Sequence, residues 1–232
     1  MINLLDPEHI KKQRNSLTSF LRGAKMYDAL ALFDFCEKVH SGKRKDKITP
    51  EFAHQMQIAL YLTTIALTQA ELVVAIIAAF AHDLFEDYPQ YTIEIVAKEC
   101  GYSFQFKNPE GLNVSMRLKK GLLTALTLSK IRNGKKLSNE EYFKGISEDM
   151  IAALVKGADR INNFQSMVGV FNIEKIKQYL KEGMEILACL KAARRKNPSR
   201  ASAFFNVEHM LKSQIELVSL MLDIHPARRQ VA

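Results

Sequence analysis

Within six residues, His82-Asp83-Leu84-Phe85-Glu86-Asp87, the chain carries an imidazole and three carboxylates. An imidazole nitrogen beside a carboxylate oxygen is a ligand set for a first-row divalent cation. On a helix His82 and Glu86 stand four residues apart, Asp83 and Asp87 likewise, and Asp83 and Glu86 three. All four side chains can therefore turn into one cleft a single turn deep. His82 and Asp83 suit the cation itself. Glu86 and Asp87 suit proton transfer to and from a water that the cation activates. The plain structural alternative is a solvated polar helix end.

The stretch that must position this turn precedes it. Leu72 to Ala81 is apolar throughout, so as a helix it is buried on all sides. Charge arriving at the end of such a helix is costly unless a partner or a metal compensates it. The negative end of the helix dipole favours a cation there. The rest of a metal site has to come from elsewhere, and two residues offer themselves: His54, in the first turn of an expected helix, and Asp159, within Leu154-Val155-Lys156-Gly157-Ala158-Asp159-Arg160-Ile161-Asn162-Asn163. Each alone reads as a satisfied or paired residue of a helical core. Their combination with His82 and Asp83 is what points to a metal.

The remaining chain reads as helices. Asp6-Pro7 caps a helix running to about 22, a second covers 25–40, and Gly42 opens a basic loop, Lys43-Arg44-Lys45-Asp46-Lys47. Thr49-Pro50-Glu51 caps a third helix to about 67, and Thr68-Gln69-Ala70-Glu71 is a capping box for the apolar one, which reaches the acidic turn before Pro89. Thr92 starts a short helix closed by Gly101. Between 102 and 115 the Ser103-Phe104-Gln105-Phe106 alternation and the Asn108-Pro109-Glu110-Gly111 turn suggest a small hairpin or flap. Helices then cover 116–129, 147–167, 172–196 and 202–222; Asn133-Gly134 marks a turn and Ser138-Asn139-Glu140-Glu141 a second capping box. With no internal repeat, the expectation is one all-α domain over 1–232, its core at about 25–170 and C-terminal helices at 172–222.

Composition bounds the function classes. The chain has 232 residues, 47 % of them apolar, with 10 glycines and 6 prolines, which describes a globular domain. The apolar run is too short to span a bilayer, and the first twenty residues hold no continuous apolar segment of the signal-peptide kind. Cys36, Cys100 and Cys189 are far apart and form no CxxC, as expected of reduced cysteines in a cytoplasmic protein. A formal net charge of +8 suggests an anionic partner. That partner could be a nucleotide, a nucleic acid or a membrane surface, and charge alone does not choose among them; no zinc-finger spacing, RNP-like aromatic motif or helix-turn-helix supports a nucleic-acid-binding module, which is the less favoured reading.

The order His54, His82-Asp83, Asp159 resembles the H…HD…D pattern of the HD phosphohydrolase superfamily, all-helical metal-dependent enzymes. More narrowly, Val39-His40-Ser41-Gly42-Lys43-Arg44-Lys45, the HDxxED of residues 82–87, Ala125-Leu126-Thr127 and the KxADRxxN of residues 156–163 resemble the hydrolase domain of RelA/SpoT alarmone enzymes and their small single-domain relatives. The resemblance implies an HD-domain helical bundle. It implies His54, His82, Asp83 and Asp159 as ligands of a divalent metal, typically manganese, and Glu86 and Asp87 as the pair that activates water. Arg44 and Lys45 match the basic pair at the nucleotide, Asn163 matches a substrate-contacting asparagine, and Lys156 is placed to neutralise phosphate charge. The activity implied is hydrolysis of guanosine tetra- or pentaphosphate at the 3′ position, giving pyrophosphate and GDP or GTP. The same scaffold in other hands acts on NADPH, a deoxynucleotide or a modified signalling nucleotide. Departures cluster around the substrate: the basic pair lies about one residue further from His54 than usual, and His54 is followed by Gln55 rather than proline.

Overall fold

The computed structural model describes residues 7–105, 111–132, 134–167 and 170–229. It is a helical bundle. The helices are α1 (Pro7–Gly23), α2 (Tyr27–Val39), α3 (Ala53–Leu62), α4 (Gln69–Ala81), α5 (Leu84–Asp87), α6 (Ile93–Glu99), α7 (Met116–Leu128), α8 (Asn139–Glu148), α9 (Met150–Ser166), α10 (Ile173–Lys196) and α11 (Ala201–Arg229). Among the described residues no helix is long and apolar enough to cross a membrane.

The apolar run forms the axis of the bundle. Val73 to Ala81 are all buried, as expected of a helix without a polar face. Both arms of the Thr68–Glu71 capping box are made at its start. α3, α7 and α9 pack around it. α7 comes closest at Gly121, where a Cβ would run into the Ile77 side chain, so only glycine lets the two backbones approach this far. Gly157 does the same for α9, where a Cβ would stand 2.5 Å from Val207 Cγ1 on α11. α9 is thereby held between α4 and the α10–α11 pair, which fixes the depth at which its polar residues enter the core.

Several expected boundaries move. Thr49 does not cap α3: its hydroxyl donates to Asp46 Oδ2 at 2.5 Å, closing the basic loop on itself, and Phe52 stands at the N-cap with no side-chain bond. α3 stops at Leu62 rather than near 67, where the Thr63 and Thr64 hydroxyls bond back to the carbonyls of Leu60 and Tyr61 at 2.7 Å. The expected start at 147 falls at Met150, because Asp149 caps α9 through the amides of Ile151 and Ala152. α11 continues to Arg229, past the expected end at 222.

Of the hairpin or flap expected at 102–115, the hairpin does not form. Tyr102–Ser103 (β1) pairs in parallel with Asn113–Val114 (β2), whereas a hairpin pairs its strands antiparallel. The expected turn at Asn108-Pro109-Glu110 lies outside the described residues. An antiparallel hairpin forms instead between Ile131–Arg132 (β3) and Lys135–Lys136 (β4). Asn133 is outside the described residues, but Gly134 has φ +73°, the backbone that an Asn-Gly hairpin turn requires.

Candidate active site

Three elements bring three buried side chains together. His54 comes from the first turn of α3, His82 from the C-cap of α4, and Asp159 from the middle of α9. One ligand atom from each lies within 4.8 Å of the others, at exposures of 5 %, 3 % and 3 %. His82 Nδ1 sits 2.9 Å from the Ala79 carbonyl, a contact that places its proton there and turns Nε2 towards the cluster. Among the described residues Nε2 has no partner with hydrogen-bond geometry, although Asp83 Oδ2 is 3.1 Å away and Asp159 Oδ1 3.8 Å. A buried ring nitrogen set between two carboxylates is a place where a divalent cation would replace the proton. The donor set of imidazole nitrogens and carboxylate oxygens suits a first-row metal.

Asp83 stands apart from the other three. Its side chain is 41 % exposed, and it reaches the cluster from the mouth through its contact with His82. The helix breaks at the turn of His82 and Asp83, yet the one-turn spacing survives, since Asp87 N donates to Asp83 O at 2.9 Å. Glu86 and Asp87 therefore project from α5 into the same cavity. Glu86 Oε2 accepts the Lys130 backbone N–H at 3.0 Å.

The electrostatics separate these groups. Burial penalises the charged form of His82, but the charges of Asp83 and Asp159 outweigh it and raise its pKa to about 9. For His54 burial wins over its bond to Asp159, and its pKa is lowered. Burial opposes ionisation of Asp159, yet the Lys156 ammonium and the two imidazoles hold its carboxyl well below the usual range. Asp83 is likewise lowered, burial being outweighed by the His82 charge. Asp87 is raised, by burial first and then by its neighbours Asp83 and Glu86. That direction suits Asp87 to hold a proton.

The cavity in front of the cluster has a volume of about 490 Å³. The basic loop forms one wall. Arg44 Nη2 lies 3.4 Å from Ser166 Oγ on α9, and the Lys45 ammonium sits 4.8 Å from the centre of the Phe171 ring. Lys156 and Asn163 both reach Asp159, donating to Oδ2 at 2.7 Å and Oδ1 at 2.6 Å. All ten residues singled out in the sequence thus lie at this one cavity or in the cluster at its base. α10, an amphipathic helix with no motif to mark it, also lines the cavity. There the Arg160 guanidinium stacks 4.1 Å from the Tyr179 ring centre and donates to Glu182 Oε2 at 2.6 Å.

A family model for the HD domain matches residues 33–197. GTP pyrophosphokinase rsh of Brucella ovis is 30 % identical over 154 residues, covering 65 % of this chain and 18 % of the relative. The proteins of the same name from Brucella abortus and Brucella melitensis match to the same extent. The chain spans about 18 % of the length of these curated relatives.

Proposed function

The chain belongs to the HD-domain family, and from that premise we propose that it is a metal-dependent 3′-pyrophosphohydrolase of guanosine tetra- or pentaphosphate. The observation that carries the reading is the convergence of the buried His54, His82 and Asp159 at the base of a cavity walled by Arg44, Lys45 and Lys156. The similarity to a GTP pyrophosphokinase, and the resemblance of the motifs to the RelA/SpoT hydrolase domain, support guanosine nucleotides in particular.

His54, His82 and Asp159, with Asp83 at the mouth, would hold the cation; manganese is the metal the resemblance implies. A divalent cation there supplies an acidified water and charge stabilisation at a phosphoryl oxygen. Glu86, steadied by the Lys130 amide, takes the proton from the attacking water. Asp87, with its raised pKa, gives a proton to the leaving ribose 3′ oxygen as the P–O bond breaks, and pyrophosphate leaves with the hydroxyl oxygen that water supplied. Arg44 and Lys45 hold the anionic end of the nucleotide or stack on its base. Lys156 and Asn163 keep Asp159 oriented and face the substrate.

Arg44→Ala is expected to raise KM for the nucleotide by about tenfold or more while leaving metal content unchanged, since its role is orientation and charge. Steady-state kinetics with elemental analysis check this. The substrate itself is tested by incubating manganese-loaded enzyme separately with guanosine tetraphosphate, NADPH and a deoxynucleoside triphosphate, and separating the products by anion exchange. Pyrophosphate and GDP from the first substrate alone are expected. Faster release of phosphate from NADPH, or of triphosphate from the deoxynucleotide, would overturn the guanosine assignment and keep the metal chemistry.

A further inference from the structure

A line of side-chain hydrogen bonds runs from the metal cluster to the outer helix α1. His54 Nδ1 lies 2.6 Å from Asn162 Oδ1. Asn162 Nδ2 donates to Gln57 Oε1 at 3.0 Å, Gln57 Nε2 to Gln13 Oε1 at 3.2 Å, and Gln13 Nε2 lies 3.1 Å from His9 Nε2. Asn162 is nearly buried, at 9 % exposure, on the same helix as Asp159 but turned to the far side of His54. Gln57 is one turn along α3 from His54, and Gln13 and His9 lie on α1, which precedes the stretch matched by the family model.

We propose that Asn162 and Gln57 are positioning residues for His54, forming a chain of amide hydrogen bonds that holds the ring proton on Nδ1 once Nε2 leaves its contact with Asp159 Oδ1 for the metal. The inference rests on the reading of His54 as a metal ligand. A neutral imidazole has one proton for two nitrogens, and the nitrogen that binds a cation must be the bare one. The acceptor at Nδ1 decides which that is. An asparagine can supply its oxygen or its NH2 group to the ring, so by itself Asn162 is an ambiguous partner. A metal on Nε2 would remove the ambiguity: the ring proton must then sit on Nδ1, so Asn162 presents Oδ1 to it and turns Nδ2 to Gln57 Oε1, the arrangement observed. Gln13 in turn orients Gln57. His82 achieves the same end with the Ala79 carbonyl, a fixed acceptor that needs no relay. With a metal at both Nε2 atoms, the two histidines would thus keep the proton on Nδ1 by different means.

The test is the dissociation constant for Mn²⁺, measured on metal-stripped protein by competition with a chelating dye, beside the melting temperature of the same metal-free samples. Loss of such a supporting partner typically weakens metal binding by about 10–100-fold. Asn162→Leu is expected to show a loss of that size. Asn162→Asp, of the same shape and an acceptor at both oxygens, should bind as tightly as wild type or tighter. Gln57→Leu, remote from the metal and only partly buried, should weaken binding by a smaller factor, and it decides the matter if Asn162→Leu does not fold. A packing role alone would lower the metal-free melting temperature of the leucine variants and leave their Mn²⁺ affinity at the wild-type value, which overturns the inference. Asn162→Asp binding as poorly as Asn162→Leu would also overturn it. If wild type itself binds no Mn²⁺, the metal reading fails and takes this one with it.

Discussion

Replacing Asp159 with asparagine is expected to abolish stoichiometric metal binding and to remove a large part of the protein's stability at once. Asp159 is 3 % exposed, and its two oxygens serve four groups: His54 Nε2 at 3.0 Å, Asn163 Nδ2 at 2.6 Å, Lys156 Nζ at 2.7 Å and, more distantly, His82 Nε2 at 3.8 Å. Lys156 is itself 14 % exposed; burial works to lower its pKa, and the Asp159 charge overcomes that and raises it. Taking one partner out of a buried ion pair costs about 3–5 kcal/mol, because the other charge is left without compensation. Against a usual total of about 5–15 kcal/mol that is a large share. Mn²⁺ should raise the melting temperature of wild type, since a ligand that binds only the folded state stabilises it. The Asp159→Asn protein should melt lower and show no Mn²⁺-dependent rise. One equivalent of tightly held Mn²⁺ in Asp159→Asn, found by elemental analysis, would remove Asp159 from the ligand set.

Glu86→Gln should separate binding from chemistry. Glu86 is exposed to the cavity and lies outside the buried trio, so the metal has no need of it. Glutamine keeps an oxygen for the Lys130 amide and so keeps the local geometry. What it loses is the ability to take a proton. Turnover is expected to fall by about 10²–10⁴-fold, the usual cost of a missing positioned acid or base, with Mn²⁺ affinity and substrate binding close to wild type. Near-normal turnover would reduce Glu86 to a structural ligand of the β3 strand start and leave Asp87, with its raised pKa, as the base to examine.

Much of this site is legible in the sequence because local rules generate it. An apolar helix with a capping box must be buried, and the charged turn at its end must then meet the core; α4 and the His82–Asp87 segment follow from that alone. His54 and Asp159 are legible only through their resemblance to a motif, since the packing that unites α3 with α9 has no local signature. Asn162 illustrates the limit. It sits beside Asn163 in the matched motif, but its importance depends on Gln57 arriving from another helix. Tyr179 and Glu182 lie in an amphipathic helix whose pattern reports burial and not chemistry. The 102–115 segment misleads for a related reason: alternation marks a strand but not the direction of its partner, and β2 pairs in parallel. The real hairpin, at Gly134, carries the turn residue that sets its geometry.

Hydrolysis should depend on a metal held by the trio of His54, His82 and Asp159. This is tested most directly by stripping the purified protein with a chelator and titrating Mn²⁺ back while following pyrophosphate release from guanosine tetraphosphate. The stripped protein is expected to release none, and recovery should saturate at one Mn²⁺ per chain. Release that persists undiminished after stripping, with no Mn²⁺ detectable in the sample, would contradict a metal-dependent reaction at this site.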